Sequence, residues 1–294
     1  MKEYKNSKEL LEYLVSKGVY VGNKKYTLNK IKTYSYYSII NTYKDVFKNS
    51  ENEYNNGTSF NEIFALFEFD MNLRSIFLKY LLEIETIIKS LLAETISSKY
   101  GIQNYLVKEN FDEMLDENII NKTINDINEE ISKQNQKHEA VTHYINKYCF
   151  IPPFVLVKIL TLGEASRLYS ILKQSDRQNI SKNFKLSDKI LKQIIINMTM
   201  VRNICAHNER LFSFHSKFRI SFKYIQNEYK KNTVNIYVIM KCMKILLPKE
   251  KAKEFEKLIK NEIRKLNNKL TSVKIDNILD IMGFDMYNKV FINI

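Results

Sequence analysis

Residues 60–96 read FNEIFALFEFDMNLRSIFLKYLLEIETIIKSLLAETI, and this stretch decides the fold class. Its apolar residues recur every three or four positions: Ile63, Phe64, Phe67 and Met71, then Leu73, Phe77, Leu81, Ile84, Ile88, Leu91 and Leu92. That is the period of an α-helix with a buried stripe, not the alternation of a strand. Ser59 stands where an N-cap belongs, and Glu62 follows at the capping-box position. Tyr100-Gly101 closes the run. The spacing therefore predicts one very long helix.

Working outward, the rest of the chain supports the same class. Only 6 Gly and 3 Pro occur in 294 residues, too few for the many turns of an all-β sandwich. Hydrophobic residues make up 45%, enough for a substantial core. An all-α fold follows, a helical bundle with additional N-terminal and C-terminal helices. Upstream, Ser7–Lys17 reads as a capped helix stopped by Gly18, and Tyr26–Phe47, rich in Tyr and Lys, as a second. Residues 48–57 are polar and end at Gly57, which suggests a hinge. Two domains are expected: an N-terminal helical lobe over 1–50 and a larger helical domain over 58–294. Downstream, helices are expected over 109–140, over Phe154–Leu172 after Pro152-Pro153 with an interruption at Gly163, and over Ile190–Cys205 capped by Ser187. Further helices are read near Asn235–Leu247, Lys249–Asn268 with Pro248 in the first turn, and Asp276–Met282.

The charge is large and unevenly placed. Residues 1–50 carry a net +6, residues 51–150 a net −8 and residues 151–294 a net +15, within a total of +13. Two basic ends around an acidic middle suggest a face for a polyanion, most simply RNA. Compositional drift toward Lys in an AT-rich genome is the alternative source of this charge. In the N-terminal lobe, Lys24, Lys25, Lys30 and Lys32 lie close to Tyr36 and Tyr37. Lysines track phosphates while tyrosines stack on bases, so these six, with Arg210, are candidate RNA-binding residues. A tyrosine-rich core face with solvated lysines is the competing reading.

Cys149, Cys205 and Cys242 form no Cys-x-x-Cys pair and read as buried thiols in a reducing compartment. No signal-peptide pattern and no apolar run of membrane-spanning length occurs, so the expected location is the cytoplasm, with no membrane partner. No metal-ligand spacing is found, and neither a metal nor another cofactor is expected. His138 and His143 read as ordinary surface residues, and His215 lies among phenylalanines. His207 differs: it ends a strongly apolar helix, with Arg202 and Asn203 just before it. On a regular helix Asn203 and His207 point roughly 40° apart, whereas Arg202 points roughly 140° from His207. One helix therefore cannot easily aim both at one phosphate. Either the helix unwinds near Ala206 or a second copy supplies the partner group. Arg202 also borders the apolar stripe, where an isolated charge is costly and needs a carboxylate or an interface.

Arginine and histidine without a metal suit phosphodiester cleavage of RNA, because RNA carries its own nucleophile. Histidine moves protons, and arginine stabilises charge on the phosphorus-centred transition state. The same residues also fit a plain structural role, with Arg202 in an ion pair and His207 at a helix C-terminus, where a cation is favoured.

The segment Arg202-Asn203-Ile204-Cys205-Ala206-His207 resembles the R-N-x-x-A-H motif of the HEPN superfamily. Within it, the chain resembles the Abi-type (abortive infection, AbiD/AbiF-like) phage-resistance proteins. Phe69-Asp70-Met71-Asn72-Leu73-Arg74 resembles their F-D-x-x-L-R helix, and Ile84-Glu85 their following I-E. Gly57-Thr58-Ser59-Phe60 and Leu162–Tyr169 resemble two further landmarks, and the Tyr34–Tyr43 cluster a third. Phe212-Ser213 departs from a common W-N, and Phe154 from a common Trp. The resemblance implies a HEPN-type bundle that forms a homodimer and joins two Arg-x4-His motifs into one metal-independent endoribonuclease site. Catalytic Arg202, Asn203 and His207 are then expected, with Asp70 or Glu85 as supporting acids. It also implies a toxin-like role in phage defence, with a small non-coding RNA as regulator. The competing class is a non-catalytic RNA-binding protein that keeps the HEPN scaffold; a protein-interaction scaffold is a third.

Overall fold

The computed structural model describes residues 4–221 and 234–284. It is an all-α bundle. Its axis is helix α3, Phe60–Tyr100, 41 residues that span roughly 60 Å at 1.5 Å per residue. The helix starts as its sequence dictates. Ser59 Oγ accepts the Glu62 N–H while Glu62 Oε1 accepts the Ser59 N–H at 2.8 Å. It stops at Gly101, whose φ of 79° favours glycine. Residues on most of its circumference are buried, from Phe60 and Ile63 through Leu66, Phe69 and Phe77 to Ile88 and Ile96. A helix apolar nearly all round must be enclosed by others. Each such large side chain contributes about 1.5–3 kcal/mol by leaving water.

The enclosing helices are α6 (Pro153–Ile159), α7 (Leu162–Ile171), α9 (Asp188–Ala206) and α11 (Lys249–Asn267). Helices α1 (Ser7–Ser16) and α2 (Lys24–Tyr34) form the N-terminal end, α4 (Glu117–Gln134) and α5 (Glu139–Tyr148) cover α6 and α7, and α8 (Gln174–Ser181) lies against α3 and α9. Helix α10 (Ile236–Leu246) packs on α3, α9 and α11, and α12 (Ile275–Met282) lies on α11. His215–Ser216 and Val234–Asn235 form a minimal antiparallel pair. Glu62 does more than cap α3. Its second oxygen accepts the N–H groups of Thr271 and Ser272 at 3.0 and 2.9 Å, which fastens the chain after α11 to the start of the central helix.

Several boundaries differ from the expectations. The cap of α1 is Asn6 rather than Ser7, with Glu9 completing a capping box. The expected second helix ends at Tyr34, because Ser35 takes a left-handed φ of 66°. A π-helical turn, Tyr37–Asn41, and a 3-10 turn, Lys44–Phe47, follow. That irregular path drives Ile39, Ile40, Tyr43 and Phe47 into the common core, and this burial outweighs local helical continuity. The region 109–140 holds α4 and the start of α5, broken at 135–138. The interruption near Gly163 belongs to Thr161, whose capping box with Glu164 starts α7. Pro248 is the cap of α11 rather than a residue of its first turn. Helix α8 carries a single large apolar residue, the buried Ile180, so its sequence shows no apolar period.

Candidate active site at the end of α9

Helix α9 buries Leu191, Ile194, Ile195, Met198, Val201 and Cys205, and Ser187 caps its start as expected. It runs unbroken to Ala206. It ends at His207 because Asn208 takes a left-handed φ of 57° and Glu209 donates its N–H back to the Ile204 carbonyl at 3.1 Å. That is the αL closure with a six-to-one hydrogen bond typical of helix ends, with asparagine in the place of glycine. The helix therefore does not unwind between Arg202 and His207. Asn203 and His207 are exposed, with the His207 N–H bonded to the Asn203 carbonyl at 2.9 Å.

Arg202 is half-buried beside the apolar stripe. Its Nε lies 3.8 Å from Glu85 Oε2 on α3, and neither atom has a hydrogen-bond partner. The pair is thus held by charge across a gap, not by a directed bond. The other Glu85 oxygen accepts from Lys89 Nζ at 2.6 Å. Of the two acids read from the sequence, Glu85 is the one beside Arg202.

Asp70 occupies a different position. It is fully buried and accepts Tyr43 Oη at 2.7 Å, Arg74 Nη1 at 2.7 Å and the Phe212 N–H at 2.7 Å, with the Leu211 N–H at 3.1 Å. Burial pushes its carboxyl upward; Arg74, the Tyr43 hydroxyl and the two N–H groups act against that. Arg74 also donates to the Glu209 carbonyl at 3.3 Å. Asp70 and Arg74 together clamp residues 209–212, which begin two positions after His207. The sequence marks Asp70 as a candidate supporting acid, whereas Arg74 and Tyr43 figure in it only as parts of the F-D-x-x-L-R and tyrosine landmarks. The signal was present: Arg74 stands one turn after Asp70, where an ion pair would neutralise a buried acid.

Arg210 reaches the N-terminal segment. It donates to the Thr42 carbonyl at 2.6 Å and to Asp45 at 2.8 and 3.0 Å, and its guanidinium lies 4.5 Å from the Phe212 ring centroid. The other candidate RNA-binding residues lie apart from this loop. Lys24, Lys25 and Lys32 are exposed on α2, and Tyr37 is 71% exposed. Lys30 is folded over the rings of Phe64, Tyr26 and Tyr34 at 4.7, 5.3 and 5.7 Å. Tyr36 is half-buried, and burial pushes its phenol well above the ordinary range.

The sequence model of the family described as Abi-like protein matches residues 29–213, more than half of the chain. The chain belongs to the Abi-like protein family. The match begins in α2 of the Abi-like chain and ends just after Phe212, so it encloses Tyr43, Asp70, Glu85, Arg202 and His207. Membership points to abortive infection, a form of phage defence. No curated protein and no solved structure matches the chain. Among the described residues of this Abi-like protein, no helix is long and apolar enough to cross a membrane, and no cluster of His, Cys, Asp and Glu is arranged to hold a metal ion.

Proposed function

We propose that the protein is a metal-independent RNA endonuclease of the HEPN type, acting in the cytoplasm as a toxin-like effector of abortive infection. The observation that carries this reading is the end of α9. An arginine, half-buried against Glu85, and an exposed histidine five residues on stand on an unbroken helix, and their loop is clamped from the core by Asp70 and Arg74. Asn203 shares the exposed face of His207.

In the proposed reaction the RNA 2′-oxygen attacks the adjacent phosphorus and the 5′-oxygen leaves. The products are a 2′,3′-cyclic phosphate and a 5′-hydroxyl. His207 moves protons between these oxygens, and Arg202 neutralises charge on the non-bridging oxygens. Glu85 keeps Arg202 oriented; Asp70 acts through the loop and touches no reacting atom. Because α9 stays helical through Ala206, Arg202 and His207 of one chain point apart by roughly 140°. A homodimer that brings two motifs together resolves this. Residues 1–50 are proposed as an RNA-docking lobe that holds a small regulatory RNA, with 58–294 as the catalytic domain.

The test is cleavage by wild type and by the Arg202→Ala and His207→Ala variants, with analysis of the product ends. Wild type is expected to leave 2′,3′-cyclic phosphates and both variants to be inactive while folded. If both variants cleave as well as wild type, the assignment fails. Salt-dependent RNA binding with no cleavage under any condition would instead favour the non-catalytic RNA-binding scaffold.

A further inference from the structure

The N-terminal end holds a cavity of about 960 Å3, with Tyr36 in its wall. It lies between α1, the irregular segment after Tyr36, and the turn that follows Phe47. Four ammonium groups line it: Lys5 and Lys17 from α1 and its flanks, and Lys44 and Lys48 from the opposite wall. Among the described lining residues Glu53 is the single acid.

None of the four lysines lies within ion-pair distance of a carboxylate among the described residues. Lys48 Nζ donates to the carbonyl and the side-chain oxygen of Asn52, both at 2.7 Å, and Lys44 Nζ donates to Asn41 Oδ1 at 3.2 Å. These are neutral acceptors. By contrast Arg74 meets Asp70, and Arg210 meets Asp45. Here four positive charges face one concavity with one acid between them. A concave wall concentrates their field on whatever enters. Burial, then the nearby Lys44 and Lys17, push the Lys48 ammonium below its ordinary range.

The same cavity carries aromatic surface. Tyr13, 44% exposed, lies under Lys17 with the ammonium 5.5 Å from its ring centroid. Tyr54 lies under Lys48 at 5.4 Å, and Tyr36 completes the wall. A ligand suited to both parts has several negative charges on one end and a flat ring on the other. The volume is in the range of small-molecule sites, about 300–1,000 Å3.

We propose that this cavity binds a nucleotide through its phosphates, with the phosphates on Lys17, Lys44 and Lys48 and the base against Tyr13. The shared chemistry is a nucleoside phosphate, either free or as a unit of single-stranded RNA. The site is separate from Arg202 and His207 and does not depend on cleavage there.

The experiment uses the full-length protein and three probes: ATP, a short single-stranded RNA made of 2′-O-methyl nucleotides, and a poly-glutamate peptide. The 2′-O-methyl groups remove the nucleophile, so binding is read whether or not the protein is a nuclease. Wild type is expected to bind ATP or the RNA and to prefer it to poly-glutamate. The Lys44→Glu/Lys48→Glu variant should weaken that binding by roughly tenfold or more. Tyr13→Ala should weaken it several-fold. A control with the same charge change on exposed α11 positions, Lys253→Glu/Lys257→Glu, should change it less than about twofold. ATP binding that RNA fails to displace identifies a free nucleotide; binding of the RNA alone identifies a strand. Thermal melts verify folding, and Lys44→Gln/Lys48→Gln replaces the first variant if it melts early. Equal weakening by both double variants would reduce the effect to net charge and overturn the site. So would binding of neither nucleic-acid probe, or equal binding of poly-glutamate.

Discussion

Asp70 on the central helix accepts the backbone N–H of Phe212 at 2.7 Å, across 142 positions of sequence. With Leu211, Arg74 and Tyr43 it forms a closed set of donors around one buried carboxylate. The chain leaving α9 is thereby held at the core, and the exposed His207 is positioned from behind. Removing the carboxylate leaves Arg74 without its counter-charge and orphans two backbone N–H groups at once. Asp70→Ala is expected to cost about 3–5 kcal/mol, read as a lower urea midpoint at unchanged slope. An unchanged midpoint would show that the clamp contributes nothing.

The Glu85–Arg202 pair is open to a double-mutant cycle. Its two unsatisfied atoms face each other across 3.8 Å at the edge of the core. The Glu85→Ala and Arg202→Ala losses should be non-additive by about 0.5–1 kcal/mol, because Glu85→Ala leaves Arg202 without its acid and Arg202→Ala leaves Glu85 with Lys89 alone. Additive losses would mean that the two residues act separately.

Arg210 joins the loop after His207 to the N-terminal segment through Thr42 and Asp45. Asp45 is exposed, so solvent screening keeps the ion pair itself small, about 0–1 kcal/mol. Arg210→Ala should therefore lower global stability only slightly while raising amide hydrogen exchange at residues 209–213. Exchange that is unchanged there would separate the two segments.

Thiol reactivity follows from burial. Cys149 is exposed, against the expectation of a buried thiol, because it is the left-handed residue that closes α5; burial pushes the Cys205 and Cys242 thiols up to about 12. A maleimide at neutral pH should label Cys149 in the native protein and all three only after denaturation. The two buried thiols also set a sign for alkaline stability. Between their ordinary value of 9.0 and about 12, the unfolded chain releases protons that the folded chain keeps. Stability should then fall as pH rises through that window, and half-buried Tyr54, pushed up to about 12, adds in the same direction. A melting temperature that stays level from pH 8 to pH 11 would contradict this.

Much of the architecture is legible without coordinates. The apolar period of residues 60–96, the Ser59–Glu62 capping box and Gly101 define α3, and Ser187 with its apolar stripe defines α9. These are local effects: hydrogen-bond caps and side-chain periodicity act within a few residues, so the sequence carries them whole. The class of the bundle and the positions of Arg202 and His207 on its helices follow from them. The path of residues 35–47 was not legible. Ser35 breaks a helix that no glycine or proline marks, because Ile39, Ile40 and Phe47 are drawn into a core assembled from distant segments.

The tertiary structure alone decided which acid meets which base. Asp70 and Glu85 stand on one helix, and either could have been set beside Arg202. The packing of α9 on α3 puts Glu85 there and turns Asp70 toward Arg74 and the 209–212 loop. It also gathered Lys17, Lys44 and Lys48 around one cavity although they are scattered through sequence. Electrostatic pairing depends on distance in space, and only the assembled core fixes that distance.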